Sequence, residues 1–118
     1  TILGLSFKPM TDDLREAPSL VNIDMLLDYD AIITVYDPIA ISKVKAIYGD
    51  KLNYAKTIDD AIKDSDAVLI MTEWKEIKDY NVDNYLKYMR HANVYDGRNC
   101  YDSKVMKEKK INYYSIGR

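Results

Sequence analysis

Residues 2–19 read ILGLSFKPMTDDLREAPS and contain the strand-to-helix transition on which the fold depends. The stretch begins with apolar, strand-like residues, turns at Lys8-Pro9, crosses a charged segment and enters an apolar helical pattern at Pro18. A polar loop between a strand and the next helix lies at the carboxyl end of that strand, where open α/β sheets bind ligands. The loop carries Lys8 and Arg15, whose side chains suit phosphate oxygens.

Strand-like and helix-like segments alternate along the rest of the chain. Short apolar runs predict strands near residues 31–36, 52–54, 67–72, 92–95 and 112–116. Helical periodicity predicts helices over residues 18–27, 39–48, 57–63, 82–90 and 103–109. This order predicts a Rossmann-like three-layer α/β sandwich, a mostly parallel sheet of five to six strands with helices on both faces. No linker or repeat interrupts the pattern, so residues 1–118 are expected to form a single domain.

Composition restricts the class of function. The chain has 118 residues, of which 47% are hydrophobic and 31% charged, as in ordinary globular proteins. A net charge of -2 argues against nucleic-acid binding, and no apolar run is long enough to span a membrane. The single cysteine, Cys100, excludes an internal disulfide and favours a cytoplasmic setting. The eleven tyrosines are expected to pack their rings and to direct their hydroxyls to water at the sheet edge.

Polar segments are expected to follow three strands and to meet at the carboxyl edge of the sheet: residues 7–15, 72–74 and 96–99. Tyr36-Asp37-Pro38 is expected to join them there. The cations Lys8, Arg15 and Arg98 in these segments form a reasonable anion site. No Gly-x-Gly-x-x-Gly follows the first strand, so the dinucleotide fingerprint is absent from the sequence.

Each of these cations also has a purely structural interpretation. Arg15 can pair with Asp12 or Asp13 at the start of the helix, and spacing alone does not favour either role. Lys8 and Arg98 lie in loop segments, where most such side chains are simply solvated.

No catalytic or metal-binding residue is predicted. His91 has no cysteine or carboxylate at ligand spacing, so a metal site is not expected. Cys100 has no histidine partner in sequence and is expected to be a structural residue, not a nucleophile. Trp74 is expected to close the edge of the core.

Five motifs, in this order, resemble the C-terminal domain of the UDP-glucose 6-dehydrogenase family, within the UDP-glucose/GDP-mannose dehydrogenase superfamily. They are GLSFKP at 4–9, TDDLREAPS at 11–19, YDP at 36–38, TEW at 72–74 and DGRN at 96–99. TEW and REAPS look more like the members that act on UDP-glucose. The same domain of a UDP-N-acetylmannosamine, UDP-N-acetylglucosamine or GDP-mannose dehydrogenase is the alternative.

The resemblance implies an NAD-dependent enzyme that oxidises UDP-glucose to UDP-glucuronate in two steps, for polysaccharide biosynthesis. NAD would be bound mainly by an N-terminal Rossmann domain, and a central helix would form a homodimer. By motif, Phe7 and Lys8 would contact the UDP moiety. Arg98 would reach substrate held by the partner subunit, and Arg15 would approach NAD.

The family's catalytic cysteine, lysine and asparagine, and its NAD fingerprint, have no counterpart in the 118 residues. The chain begins in a strand without Met, so we expect a fragment of a longer enzyme that is inactive alone. A stand-alone nucleotide-binding module is the competing hypothesis. A domain that binds NAD by itself is disfavoured because the glycine fingerprint is missing.

Overall fold

The computed structural model describes residues 1–117, which form six strands and six helices. The strands are β1 (Ile2–Leu3), β2 (Thr34–Tyr36), β3 (Asn53–Tyr54), β4 (Val68–Ile70), β5 (Asn93–Asp96) and β6 (Asn112–Ser115). The helices are α1 (Pro18–Asp28), α2 (Ile41–Tyr48), α3 (Ile58–Ile62), α4 (Lys75–Lys78), α5 (Asp83–Tyr88) and α6 (Ser103–Glu108). A short 3-10 turn, Gly49–Lys51, follows α2.

The six strands form one sheet in the order β3-β2-β1-β4-β5-β6. Every neighbouring pair is parallel, so all carboxyl ends lie along one edge of the sheet. The strand order reverses between β1 and β4, which is the place where ligands bind in open α/β sheets. The predicted fold class is confirmed, and the sheet has the larger of the two expected strand numbers.

Two apolar cores lie on opposite faces of the sheet because successive strand residues face opposite ways. Ile2 packs with Ile23 of α1 and Val44 of α2 on one face. Leu3 belongs to the core of the other face, which contains residues of α3 to α6 such as Met106. The central strand β1 therefore has both of its residues buried.

Local sequence signals explain three of the helix boundaries. Pro18 occupies the first turn of α1, where its missing N–H costs nothing. Gly49 ends α2 with a φ of 54°, as expected of a helix stop at glycine. Thr57 caps α3 by accepting a hydrogen bond from the Asp60 N–H at 3.1 Å. These three predictions are confirmed.

The helices bury less apolar surface than their sequence patterns indicate. Val21 and Met25 of α1 are 60% and 57% exposed, and Ile47 of α2 is 59% exposed. Each of these helices packs against the sheet through a narrow stripe of buried side chains, which includes Ile23 on α1 and Val44 on α2. Val21, Met25 and Ile47 therefore lie outside the core, although they belong to the apolar patterns that predict these helices.

Several tyrosine hydroxyls also turn inward, against expectation. The Tyr85 and Tyr101 hydroxyls lie 2.7 Å apart inside the core. Tyr113 donates its hydroxyl to Asp96 at 2.6 Å. Burial raises the pKa of the Tyr85 hydroxyl well above its usual value. These rings fill the core, and their hydroxyls satisfy buried acceptors there.

One half of the sheet is open on the side of α1 and α2. Tyr95 and Tyr114 are direct partners on β5 and β6, and their rings stack at 4.7 Å between centroids. They remain 44% and 54% exposed. With Leu69 and Ile116 they line a cleft of about 450 Å³. We call these four residues the open sheet face.

Candidate functional site

The site is built where β1, β2, β4 and β5 end, side by side in the middle of the sheet. We call this region the carboxyl edge and define it by residues 4–8, 37, 72–74 and 96–98. Among these, Ser6, Asp37, Thr72 and Asp96 are polar side chains buried to 4% exposure or less. Buried polar groups need partners, so their contacts reveal how the edge is held.

Asp37 ties the loops after β1, β2 and β4 together. Its Oδ2 accepts hydrogen bonds from the Leu5 N–H at 2.8 Å and from the Trp74 indole N–H at 3.2 Å. Its Oδ1 accepts from the N–H groups of Ile39 and Ala40 at 2.9 and 2.8 Å. Both carboxylate oxygens are therefore occupied by donors of the chain itself.

This arrangement bears on the possibility that the chain binds NAD by itself. In dinucleotide-binding folds an acidic residue downstream of the first strand–helix turn accepts the ribose hydroxyl. Asp37 stands at the end of β2, where such a residue could lie, but it is 4% exposed and engaged with four donors. A ribose could bind it only by displacing these bonds.

The β1 loop is held against β4 and α1 by short side-chain contacts. The Thr72 hydroxyl donates to the Ser6 carbonyl, and the Ser19 hydroxyl of α1 donates to the Leu5 carbonyl, each at 2.5 Å. Gly4 has a φ of +90°, and a Cβ placed on it would lie 2.5 Å from the Thr72 Cβ. Only glycine fits at this crossing.

Arg98 joins three of the strand ends. Its Nη2 donates to the Phe7 carbonyl at 2.8 Å, and its Nη1 donates to the Glu73 Oε2 at 3.1 Å. Its own N–H donates to Asp96 Oδ1 at 3.0 Å, and Asp96 Oδ2 also accepts from the Cys100 N–H at 2.7 Å. The side chain of Arg98 stays 27% exposed, so its charge remains accessible at the carboxyl edge.

Phe7 and Lys8 lie beside Arg98 in the same loop cluster. Phe7 is half-buried, and the Lys8 ammonium lies 5.3 Å from the centroid of the Phe7 ring while remaining exposed. The structure thus brings together the three residues for which the family resemblance implies substrate contact: a half-buried aromatic ring, an exposed ammonium and a guanidinium held by two hydrogen bonds. This combination suits a ligand that has an aromatic base and phosphate oxygens.

Arg15 has a different environment. Its Nη2 lies 2.7 Å from Asp13 Oδ2, and its Nε also donates to that carboxylate. The pairing and hydrogen bonds with Arg15 lower the pKa of Asp13 to about 2. The Arg15 side chain is 89% exposed and forms the pair with Asp13 that its structural interpretation allows. A surface pair of this kind is easily exchanged for another anion.

Asp37, Thr72 and Glu73 lie within the motifs YDP and TEW, but the sequence pattern predicts a role for none of them. A detectable signal existed for Asp37 and Thr72, which are polar residues at the end of a mainly apolar segment and are buried there. Which backbone groups they bond depends on the packing of neighbouring strands, which periodicity does not specify.

Neither covalent catalysis nor metal binding is supported by the described residues. Burial raises the pKa of the Cys100 thiol to about 12, which disfavours the nucleophilic thiolate. In residues 1–117 no cluster of three or more His, Cys, Asp or Glu side chains could hold a metal ion. No helix among the same residues is long and apolar enough to cross a membrane. The exposed charges of Lys8 and Arg98 at the carboxyl edge suit an anionic ligand.

A second cleft, of about 570 Å³, lies at the ends of β2 and β3 beside Tyr36, Lys45, Tyr54 and Glu76. Neither it nor the cleft at the open sheet face is lined by Phe7, Lys8 or Arg98. The predicted substrate residues therefore form an accessible surface beside these clefts.

Comparison with known proteins shows which family this chain resembles. The model of the UDP-glucose/GDP-mannose dehydrogenase family, UDP binding domain, matches residues 1–103. UDP-glucose 6-dehydrogenase YwqF of Bacillus subtilis is 47% identical over 117 residues, which cover 99% of this chain and 27% of the relative. UDP-glucose 6-dehydrogenase of Pseudomonas aeruginosa is 39% identical, with 98% and 26% covered. The chain thus spans about a quarter of the length of these curated relatives.

Solved structures of dehydrogenases superpose on this chain over nearly its whole length. A UDP-glucose dehydrogenase from Pyrobaculum islandicum superposes with a TM-score of 0.75 at 30% identity, covering 98% of this chain and 24% of the other. A UDP-D-ManNAc dehydrogenase from Pyrococcus horikoshii superposes with a TM-score of 0.77 at 26% identity, covering 99% and 25%. Because the family model spans residues 1–103 of the 118, this chain belongs to the UDP-glucose/GDP-mannose dehydrogenase family, as its UDP binding domain.

Proposed function

We propose that this chain is the sugar-nucleotide-binding domain of an NAD-dependent UDP-glucose 6-dehydrogenase, which converts UDP-glucose to UDP-glucuronate. The observation that carries the proposal is the family match over residues 1–103, which includes all of the residues that form the carboxyl edge. The relatives with 47% and 39% identity are both UDP-glucose 6-dehydrogenases. In the full-length enzyme this domain would bind substrate and leave the chemistry to residues elsewhere.

Phe7, Lys8 and Arg98 are the proposed substrate-binding residues. Lys8 would neutralise phosphate oxygens as a mobile point charge, and Phe7 would supply an apolar surface. Arg98 would donate to an oxygen of the substrate held by the partner subunit of a homodimer.

Arg15 is the proposed contact to NAD. Its 89% exposed side chain shares no hydrogen-bond partner with the Arg98 side chain and is paired only with Asp13 among residues 1–117. A phosphate of NAD could take the place of the Asp13 carboxylate. NAD itself would be bound mainly by another domain, because Asp37 is internally engaged.

The proposed partners are an N-terminal NAD-binding domain and a central helix of the same polypeptide. The relatives are about four times as long as this chain, and the open sheet face leaves apolar surface on a parallel sheet, which is normally covered on both faces. We treat residues 1–118 as one domain of this assembly. We also place the enzyme in the cytoplasm, in polysaccharide biosynthesis, which the single cysteine and the family suit.

Steady-state kinetics of the full-length enzyme test the assignment. Lys8→Ala and Arg98→Ala should each raise the KM for UDP-glucose about tenfold, since each removes a charged contact to the substrate. Arg15→Ala should raise the KM for NAD instead. Lys63→Ala is the matched control, because Lys63 is an exposed cation at the end of α3, before β4. Unchanged KM values for UDP-glucose in both Lys8 and Arg98 variants would refute the substrate assignment.

A UDP-N-acetylmannosamine dehydrogenase is the second candidate function. It is favoured by the superposition on the Pyrococcus horikoshii structure, whose identity of 26% is close to the 30% of the UDP-glucose dehydrogenase structure. Comparing kcat/KM of the full-length enzyme for UDP-glucose, UDP-N-acetylmannosamine, UDP-N-acetylglucosamine and GDP-mannose separates these substrates. A stand-alone binding module would show no oxidation of any of them.

A further inference from the structure

Glu73 and Arg98 form a link between two loops of the carboxyl edge. The Glu73 Oε2 accepts from Arg98 Nη1 at 3.1 Å, and both side chains are about two-thirds buried, at 31% and 27% exposure. The same guanidinium donates from Nη2 to the Phe7 carbonyl at 2.8 Å. One cation therefore connects the segments that follow β1, β4 and β5.

The backbone on both sides of this link is already fixed. Next to Glu73, Thr72 donates to the Ser6 carbonyl and Trp74 donates to Asp37. The Arg98 N–H donates to Asp96, which is 1% exposed. The placement of the Arg98 guanidinium therefore depends on its two side-chain contacts, and Glu73 supplies the only charged one among residues 1–117.

A guanidinium carries five N–H donors, and those to Glu73 and to Phe7 use two of them. No other residue from 1 to 117 accepts from the Arg98 side chain, so three donors remain for a ligand. We propose that Glu73 is a positioning residue, which holds the Arg98 guanidinium so that these donors meet the anionic oxygens of the sugar nucleotide. This proposal rests on the proposed function of Arg98 as a substrate contact.

The charge of Glu73 opposes that role, and this makes the proposal testable. A carboxylate next to an anionic ligand repels it, so Glu73 would weaken binding if its charge were its main effect. Its contribution must then come from geometry, because the length of its side chain places an acceptor oxygen within hydrogen-bond distance of Arg98 Nη1. Glutamine keeps the acceptor and the reach without the charge, whereas aspartate keeps the charge and shortens the reach by one methylene.

The experiment measures kcat and KM for UDP-glucose in the full-length enzyme for Glu73→Ala, Glu73→Gln and Glu73→Asp. Alanine and aspartate should raise KM about fivefold with little change in kcat, because each leaves Arg98 Nη1 without an acceptor oxygen at the right distance. Glutamine should keep KM within about twofold of the wild type. Asp83→Ala removes another ion pair, Asp83–Lys109 at 2.8 Å, and serves as the matched control with unchanged KM.

A double-mutant cycle with Arg98→Ala completes the test. In that background Glu73→Ala should have no further effect on KM, because the group it positions is gone. If Arg98→Ala raises KM but Glu73→Ala does not, the positioning role is refuted and the substrate assignment stands. If Arg98→Ala itself has no effect, the assignment of Arg98 fails. A glutamine variant as impaired as alanine, or an undiminished Glu73 effect without Arg98, would also overturn the proposal.

Discussion

Asp37 and Asp96 are carboxylates at 4% and 1% exposure, and both fix backbone at the carboxyl edge. Asp37 accepts from three backbone N–H groups and one indole, and Asp96 accepts from the Arg98 and Cys100 N–H groups and the Tyr113 hydroxyl. A buried carboxylate is stabilised when several donors surround it. These two residues therefore organise the site without themselves being offered to a ligand.

Asp37→Asn is expected to destabilise the domain by about 3 kcal/mol, because an amide NH2 replaces one oxygen and faces donors that then lack an acceptor. Urea unfolding of the 118-residue chain would measure the loss. Asp28→Asn is the control, since Asp28 is exposed at the end of α1 and should change stability little. A loss below about 1 kcal/mol for Asp37→Asn would contradict the role given to its four hydrogen bonds.

Among the structural elements, the crossing of the β1 loop over the end of β4 sets the shape of the site. Gly4 bonds its N–H to the Tyr36 carbonyl at 2.8 Å and turns with a positive φ directly against Thr72. This close approach allows the Thr72 hydroxyl to reach the Ser6 carbonyl. The positions of Phe7 and Lys8, the next residues, depend on this turn.

Gly4→Ala should cost at least about 3 kcal/mol, because the Cβ meets backbone and side-chain atoms of Thr72 in addition to the strain of positive φ. Gly49→Ala is a matched control: Gly49 also has positive φ, but a Cβ there has open space around it. The difference between the two variants in thermal or urea unfolding isolates the steric contact. Equal losses of unfolding free energy in the two variants would show that a Cβ at position 4 does not clash with Thr72.

The sequence predicts elements better than it predicts contacts. Pro18, Gly49 and Thr57 mark helix ends by local chemistry, and the structure confirms them. Helix α4 was not predicted, because its four residues are too few to display a period. The exposure of Val21 depends on where a helix lies on the sheet, which is a tertiary property. The bonds of Asp37 to Leu5 and Trp74 and the Glu73–Arg98 link join segments that are distant in sequence, so no local pattern encodes them.

At the scale of the whole molecule, the sheet is covered unevenly. Helices α3 to α6 bury one face along its length, whereas α1 and α2 leave the open sheet face uncovered at β5 and β6. Exposed apolar patches of this kind promote association. A parallel sheet is normally buried on both faces, so we expect another part of the full-length polypeptide to cover this one.

The double variant Tyr95→Ser/Tyr114→Ser should therefore improve the behaviour of the isolated chain but destabilise the full-length enzyme. In the isolated 118-residue chain it should reduce concentration-dependent self-association in sedimentation velocity, since the stacked pair is removed from the surface. In the full-length enzyme it should lower the melting temperature, because the part of the polypeptide that covers the open sheet face would lose two aromatic contacts of about 1 kcal/mol each. Tyr29→Ser with Ile32→Ser is the control: these residues are 83% and 90% exposed and lie outside the open sheet face. An unchanged melting temperature of the full-length Tyr95 and Tyr114 variant would show that the face stays open in the intact protein, and the partner proposed for it would have to lie elsewhere.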